Sequence, residues 1–112
     1  MIVRIWRTTV DPARVGEYQQ FAETISLPMF RAHAGFLGVL FARSPTGDER
    51  AVLSFWDGPP SVLAFNTSLL YQSAVRQIED AGFLVGHSSV EILEVEAGIL
   101  ESTLATRFHF PK

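Results

Sequence analysis

The sequence predicts one α+β domain of ferredoxin-like β-α-β-β-α-β order, an antiparallel sheet with its helices on one face, that pairs with a second copy of itself. Three observations lead to this prediction. Residue patterns place four strands and two helical regions along the chain in that order. A length of 112 residues suits a single domain. Each strand carries apolar side chains on both faces, which leaves one face for a partner to cover.

Local sequence features give the bounds of each element. Strands are placed where β-branched and aromatic residues cluster, and helices where apolar residues recur every three or four positions. Proline near a helix start, glycine after a helix end and a Pro-Thr-Gly-Asp turn separate the elements. The predicted elements are strand 2–10, helix 12–26 with a further turn at 29–34, strand 36–44, strand 50–56, a helical region from 57 to 82, and strand 88–96.

The sequence predicts a break in the first helical region and two buried stripes in the second. Pro28 disfavours helical backbone at Leu27, so the first helix should kink or end there. In the second helical region, Val62, Phe65 and Leu69 are expected to form one buried stripe. A further stripe is expected from Tyr71, Ala74, Val75 and Ile78.

The strands lack the alternation of apolar and polar residues that is typical of a sheet covered on one face only. If a partner buries about eight of these side chains at ~1.5–3 kcal/mol each, the gross gain is about 12–24 kcal/mol. That gain exceeds an association cost of several kcal/mol, so a second copy of the chain is expected on the open side. In each strand, alternate residues point to opposite faces of the sheet. The apolar residues expected on the two faces are Ile2, Trp6 and Val10 on one and Val3 and Ile5 on the other in the first strand; Phe36 and Leu40, and Leu37, Val39 and Phe41, in the second; Leu53 and Phe55, and Val52 and Trp56, in the third; and Val90 and Ile92, and Leu93 and Val95, in the fourth.

Composition argues against several classes of protein. The formal net charge is −3 and the nine basic residues form no run, which disfavours a nucleic-acid surface. Cysteine is absent, which excludes disulfides and thiolate metal sites, and His33, His87 and His109 lack the spacing of metal ligands, so no metal is expected. No stretch resembles a signal peptide or is long enough to span a bilayer. A cytoplasmic protein without nucleic-acid or membrane partners is expected.

Three segments of the chain resemble the antibiotic biosynthesis monooxygenase family. They are MIVRIWR at 1–7, GFLGV at 35–39 and LSFWD at 53–57, within a resemblance that covers about residues 1–97. The resemblance implies a dimeric α/β barrel in which two sheets pack together, with a pocket between helices and sheet in each subunit. Family members include cofactor-free oxygenases of anthrone or quinol substrates and haem-degrading oxygenases.

The haem-degrading branch of the family does not fit this sequence. That branch implies an asparagine on strand one, a tryptophan on helix two and a histidine ligand further along that helix. The single asparagine, Asn66, is not on strand one, the tryptophan position falls near Phe65, and no histidine occurs from Asp57 to Gly86. The cofactor-free branch places Asn, Trp, Tyr and Arg around its pocket. Asn66 and Tyr71 match this set, whereas the helix-two tryptophan is missing.

The resemblance and the residue chemistry together define a candidate site. A donor such as Asn66 or Tyr71 would stabilise the anion that forms on the substrate, and His33 is the candidate base, since histidine is the usual base at neutral pH. A buried cation on a strand, such as Arg4, requires a partner or a ligand. The candidate residues are Asn66, Tyr71 and His33 as catalytic groups and Arg4, Trp6 and Phe65 as substrate-binding groups.

Structural roles are the alternatives for these residues. Arg4 would then pair with a carboxylate across the dimer, and Trp6 would pack in the core. Tyr71 would pack the second helix, and Asn66 would end a helix or face solvent. Trp56 is expected to be a structural plug and His87 a surface residue.

The expected function is cofactor-independent oxygenation of an anthrone-like or quinol-like aromatic molecule. The alternative is a non-catalytic small-ligand-binding or stress-related dimer, which would show affinity without turnover. Residues 98–112 form a tail in which positions 106–110 alternate like a short strand. Two alternatives are predicted for this tail: an arm that contacts the partner subunit, or a loosely ordered end.

Overall fold

The structure is a computed structural model that describes residues 1–101 and 108–110, and it has the predicted β-α-β-β-α-β order. The strands form one antiparallel sheet in the order β2-β3-β1-β4, which is the ferredoxin-like arrangement. The α+β prediction is therefore confirmed. The elements are β1 (Ile2–Val10), α1 (Val15–Phe21), α2 (Leu27–Arg31), β2 (Phe36–Arg43), β3 (Glu49–Trp56), α3 (Pro59–Asn66), α4 (Leu69–Ala81) and β4 (Leu84–Glu94).

The first helical region continues past its proline with a widened turn. It starts with a 3-10 turn, Pro12–Arg14, where the Asp11 carboxylate accepts a hydrogen bond from the Ala13 amide at 2.9 Å. Between α1 and α2 the backbone forms a π-helical turn over Ala22–Ser26, directly before Pro28. Proline has no amide to donate, and its ring crowds the carbonyl four residues earlier. The disturbance predicted at this proline takes the form of that wider turn.

The second helical region is two helices, because Ser68 is an N-cap that starts α4 anew. Gly82 ends α4 in the left-handed conformation at φ 78°, as predicted for a glycine in this position. Val62 and Phe65 of α3 are buried as expected. The predicted stripe is wrong at Leu69, whose side chain is 81% exposed, because the break between the helices changes the phase of the apolar pattern.

The helices cover one face of the sheet, here called the helix face, and form two adjoining hydrophobic clusters with it. Trp6 is partly buried and packs against both clusters. Trp56 is completely buried and its Nε1 donates to Ser54 Oγ at 2.9 Å, so the predicted structural role is confirmed. The buried members of the clusters are Ile2, Met29, Phe30, Val52, Trp56, Val62, Phe65 and Ala74 in the first, and Val10, Tyr18, Phe21, Ile78 and Phe83 in the second.

The opposite side of the sheet, here called the open face, is apolar over the half nearest the start of β1. Two of its residues, Leu40 and Leu93, are 44% and 45% exposed, although both belong to paired strands. The two-sided apolar pattern read from the sequence is therefore present in the sheet. The apolar residues of the open face are Val3, Ile5, Leu40, Leu53, Phe55 and Leu93.

One predicted face is wrong in β2. The pairing of β2 with β3 shifts between Phe36 and Gly38, so that a bulge interrupts the alternation. Phe36 therefore points to the helix face, where its ring lies 5.7 Å from that of Trp56, whereas Leu40 lies on the open face. A bulge of one residue reverses every later side chain in a strand, and the composition of β2 does not indicate it.

Part of the predicted tail, residues 102–107 and 111–112, lies outside the described residues. The strand-like alternation expected at 106–110 begins there, and residues 108–110 form no strand. The Phe110 ring lies 5.8 Å from the Phe41 ring, so the chain returns to the edge strand β2 at this point. The domain boundary at residue 97 and the arm over a partner stay predictions.

Among the helices described, none is both long and apolar enough to cross a membrane.

Candidate functional site

Arg4 is buried on the helix face of β1 and lies at the centre of the candidate site. The residue is 4% exposed. Its Nε donates to Asn66 Oδ1 at 2.9 Å and its Nη2 donates to Tyr71 Oη at 2.7 Å. The guanidinium also lies over the rings of Phe65 and Tyr71, at 5.1 Å and 5.0 Å from their centroids. Four of the six residues predicted from the sequence are therefore in direct contact.

The positive charge of Arg4 is not neutralised by a carboxylate within residues 1–101 and 108–110. The ion pairs formed there are Arg7–Glu91 and Arg14–Glu17. The partners of Arg4 are an amide oxygen, a phenol oxygen and two aromatic faces, all of which are neutral. A buried cation with neutral partners stabilises any anion that forms beside it. An ion pair to Arg4 across a dimer stays a prediction.

The corner between α3 and α4 positions the two polar partners of Arg4. Asn66 is the last residue of α3, and Tyr71 lies in the first turn of α4. The N-cap Ser68 accepts the Tyr71 amide at 3.1 Å, which sets the start of α4 and with it the direction of the tyrosine side chain. The short corner thus places an amide and a phenol on one guanidinium.

Two apolar side chains of the edge strand β4 lie beside Arg4 on the same face. The sheet register places Ile92 opposite Arg4 and Val90 opposite Trp6. Ile92 is 47% exposed and Val90 is 48% exposed, so together they form an accessible apolar strip next to the buried guanidinium. The sequence pattern predicted both as ordinary strand residues and did not indicate them as site residues. The sequence showed that the two side chains share one face of the strand. It did not show that β4 lies at the edge of the sheet, where such side chains are accessible, because strand order depends on the tertiary fold.

His33 does not join the Arg4 cluster through any hydrogen bond among the described residues. Its Nδ1 lies 2.8 Å from the Met29 carbonyl oxygen and its Nε2 lies 2.7 Å from Ser68 Oγ. Because a carbonyl only accepts, Nδ1 carries the proton and Nε2 of the neutral ring accepts the Ser68 hydroxyl. The ring also packs edge-on against Phe65 with centroids 4.9 Å apart. In this structure His33 supports the helix cap.

The aromatic candidates have different positions. Phe65 is completely buried and stacks on Phe30 with centroids 5.3 Å apart, so it supports the Arg4 guanidinium from within the core. Trp6 is partly exposed and shares the helix face of β1 with Arg4. Of the two, Trp6 is placed where it can contact a ligand.

The hydrogen bonds within the cluster orient three donors. Arginine has five N–H groups, and two atoms of Arg4 are already held by neutral acceptors. Tyr71 Oη accepts from Arg4, so its own proton is available to a further acceptor. Asn66 Oδ1 also accepts from Arg4, which directs the Asn66 amide protons elsewhere. The cluster can therefore bind an electron-rich oxygen atom with donors of three kinds.

Within the described residues, no group of three or more histidine, aspartate or glutamate side chains is placed to hold a metal ion.

Comparison with known proteins identifies the fold. No family model matches the sequence, and no curated protein matches it either. Solved structures match almost the whole chain. A candidate antibiotic biosynthesis monooxygenase from Deinococcus radiodurans is 12% identical, with 90% of this chain and 98% of that chain covered and a TM-score of 0.74.

Two further structures carry more specific names. The monooxygenase ActVA-Orf6 of Streptomyces coelicolor, solved with the ligand nanaomycin D, is 18% identical, with 90% of this chain and 92% of that chain covered and a TM-score of 0.72. SnoaB, a cofactor-independent oxygenase from Streptomyces nogalater, is 15% identical, with 89% and 97% covered and a TM-score of 0.70. Likeness at these identities concerns the fold. The resemblance read from the sequence is confirmed at that level: this chain has the fold of the antibiotic biosynthesis monooxygenases.

Proposed function

We propose that this protein is a cofactor-independent monooxygenase that acts on an aromatic substrate of the anthrone or quinol kind. The observation that carries the proposal is the buried guanidinium of Arg4, held by Asn66 and Tyr71 beside the apolar strip of Val90 and Ile92. The strip suits a flat ring system, and the donors suit a ring oxygen that becomes negative. The names of ActVA-Orf6 and SnoaB, which share the fold, support this class of reaction.

In the proposed reaction of an anthrone, loss of a proton from the ring CH2 converts the substrate to an anion whose charge rests largely on a phenolic oxygen. Arg4, the Tyr71 hydroxyl and the Asn66 amide stabilise that oxygen. The anion passes one electron to O2, and the two radicals combine to form a carbon–oxygen bond. Loss of water then converts the ring CH2 to a carbonyl. One oxygen atom enters the product, and the other leaves as water with both hydrogens of the CH2.

A second candidate function is binding of a similar aromatic molecule without turnover. The observation that favours it is the position of His33, the candidate base, whose two ring nitrogens both lie within hydrogen-bonding distance of Met29 or Ser68. To take a proton from the substrate, Nε2 would have to release the Ser68 hydroxyl. A protein that only binds its ligand needs no such base.

We also propose that the protein works as a homodimer through the open face of the sheet. Six apolar side chains lie there, and burying each against a partner would contribute ~1.5–3 kcal/mol at most. A two-fold axis places the same patch on both sides of the interface, which suits a self-complementary apolar surface. The cytoplasmic location stays a prediction.

Oxygen uptake tests the enzymatic proposal. Chelator-treated protein is mixed with a panel of anthrones and dihydroxynaphthalenes, and uptake is compared with the uncatalysed rate. Asn66→Ala, Tyr71→Phe and Arg4→Gln should each lower kcat by about 10²-fold, the usual effect of losing one donor to a developing oxyanion. Tyr18→Phe is the matched control, because it removes a buried phenol that makes no hydrogen bond to Arg4.

Each result of the uptake experiment has a defined meaning. Uptake that the three site variants lower and Tyr18→Phe leaves unchanged supports the oxygenase. Absence of uptake, together with saturable quenching of tryptophan fluorescence by the same molecules, supports the binding function instead. Absence of both rejects an aromatic ligand at the Arg4 cluster.

A further inference from the structure

A serine and a histidine meet where the chain after α2 reaches the start of α4. Ser68 Oγ lies 2.7 Å from His33 Nε2, and Nδ1 of the same ring lies 2.8 Å from the carbonyl oxygen of Met29. Because the carbonyl only accepts, the proton of the neutral ring is on Nδ1, and Nε2 accepts the serine hydroxyl. A hydroxyl thus donates to a histidine that a third group orients. This order of groups activates the nucleophile in many acyl-transfer sites.

Two aromatic side chains hold the histidine ring in its orientation. The ring packs edge-on against Phe65 and Trp56, with centroids 4.9 Å and 6.4 Å apart. Both aromatic residues are completely buried, so neither can shift without disturbing the core. The Met29 carbonyl fixes one ring nitrogen and the aromatic rings restrict the ring plane. The second nitrogen is therefore directed at the Ser68 hydroxyl before any ligand binds.

The hydroxyl of Ser68 lies at the N-terminus of α4, where backbone amides point out of the helix. The Tyr71 amide donates to Ser68 Oγ at 3.1 Å, and the Gln72 amide donates to the Ser68 carbonyl at 3.1 Å. The first amides of a helix have no acceptor within it, which leaves those of Leu69 and Leu70 for an outside acceptor in the described part of the chain. In one large class of serine hydrolases, the amide that follows the nucleophile donates to the oxyanion. Leu69 has that position here.

The surface around Ser68 is accessible and apolar. Ser68 itself is partly exposed. The next two residues, Leu69 and Leu70, are exposed, and so is Leu63 in the last two turns of α3. Exposed leucines that lie close together in this way suit the hydrocarbon part of a ligand. An ester with an apolar acyl group would find both a nucleophile and an apolar surface at this corner.

The bond to Ser68 decides which proton His33 can take. While Nε2 accepts the serine hydroxyl, it is not available for a proton of a substrate at the Arg4 cluster. The proton closest to Nε2 is that of the serine itself, within the 2.6–3.2 Å reach expected of a general base, roughly. The geometry that opposes His33 as the base of the oxygenase therefore favours it as the base for Ser68.

We propose that Ser68 is a nucleophile activated by His33, and that this pair hydrolyses small esters with an apolar acyl group. Ser68 Oγ forms a bond to the ester carbonyl carbon while its proton passes to His33 Nε2, and the resulting oxyanion lies beside the Leu69 amide. The bond to the alcohol then breaks, and the alcohol leaves with the proton from Nε2. Water attacks the acyl-serine, its proton passes to Nε2 and then to Ser68 Oγ, and the acid leaves. The proposal does not depend on the proposed oxygenase.

Covalent labelling of the full-length protein in oxygen-free buffer tests the proposal. An alkyl fluorophosphonate reacts with a serine that a neighbouring base activates, and peptide mapping by mass spectrometry locates the adduct. One adduct per chain is expected, on Ser68. His33→Gln should slow labelling by about 10²-fold, the usual contribution of a positioned base. Ser68→Asn should abolish the adduct and keep α4 intact, because asparagine is an equally good N-cap.

A matched control and a second readout complete the experiment. Ser73→Ala removes another partly exposed serine of α4, whose hydroxyl accepts from Gln77 Nε2 at 3.3 Å, and it should label like the parent protein. Hydrolysis of p-nitrophenyl butyrate should follow the same order of variants. Labelling and hydrolysis that depend on Ser68 and His33 but not on Ser73 support the site. Absence of an adduct on Ser68, or an unchanged labelling rate in His33→Gln, overturns the proposal.

Discussion

The Arg4 guanidinium donates to the Tyr71 phenol at 2.7 Å across a separation of 67 residues. A second buried arginine, Arg50, meets a second buried tyrosine, Tyr18, on the same face of the sheet, but it approaches only the ring, at 5.8 Å. In the first pair the phenol oxygen satisfies a donor. In the second pair the phenol meets no partner among the residues described. The two tyrosines should therefore respond in opposite ways to the same substitution.

Tyr71→Phe should lower the free energy of unfolding by about 1–3 kcal/mol, because it leaves a donor of the buried Arg4 without its acceptor. Tyr18→Phe should leave the free energy of unfolding unchanged or raise it by up to about 1–3 kcal/mol, because a buried hydroxyl without a partner is unfavourable. Urea denaturation of both variants and of the parent protein measures the difference. Equal destabilisation by the two substitutions would contradict the assigned contacts.

Stability at high pH should report the burial of Tyr18. Burial raises the pKa of Tyr18 to about 12, and the positive charge of Arg50 offsets part of that rise. The phenol of an unfolded chain titrates near pH ~10, so the folded protein holds this proton more tightly. The free energy of unfolding should be unaffected by Tyr18 below about pH 10 and should fall by ~3 kcal/mol as the pH rises to about 12.

Urea denaturation between pH 9 and 12 measures this loss, and Tyr18→Phe is the reference because its other groups titrate as in the parent protein. The difference between the two proteins isolates the contribution of one phenol. A parallel loss in both proteins would show that another group dominates at high pH.

Ile92→Ala and Leu93→Ala should have different effects although the residues are neighbours of similar exposure, 47% and 45%. Ile92 lies opposite Arg4 on the helix face, and Leu93 lies opposite Val3 on the open face. Ile92→Ala should weaken binding of an anthrone by about 3–10-fold, since it removes part of the apolar strip, and Leu93→Ala should leave that affinity unchanged. Fluorescence titration measures both affinities. The reverse order would place the ligand on the open face.

Leu53→Glu should convert a dimer to a monomer, because it places two like charges at the proposed interface between open faces. Size-exclusion chromatography with light scattering should give twice the 12.4 kDa chain mass for the parent protein and the chain mass for the variant. Leu63→Glu is the control, since Leu63 is 65% exposed on α3, away from the sheet. A monomeric parent protein at micromolar concentration rules out the dimer.

Much of this architecture follows from short-range features of the sequence. Asp11 and Pro12 start the first helical region, and Gly82 ends the second, because caps act on the adjacent turn alone. The parity of Arg4 and Trp6 places both on one face of β1, because side chains alternate along any strand. These features are independent of what the rest of the chain does.

Other features depend on contacts between distant segments. Phe36 faces the helices because a bulge shifts the alternation in β2, and Leu69 faces solvent because a break separates α3 from α4. Neither the bulge nor the break can be predicted from the residue types nearby. His33 was predicted as a base from its chemistry, yet its ring nitrogens meet Met29 and the cap Ser68, which lies 35 residues away. A side chain with several possible partners takes the ones that packing brings within reach.

The sequence by itself determined the order of strands and helices, the two-sided apolar character of the sheet and the residue types of the candidate site. The tertiary structure alone decided that Arg4 meets Asn66 and Tyr71, that Ile92 lies beside it at an exposed edge, and that Arg50 packs against Tyr18 at the other end of the sheet. The reason is physical. Periodicity and caps act over a few residues, whereas strand order and register bring together groups that are 60 or more residues apart, such as Arg4 and Tyr71.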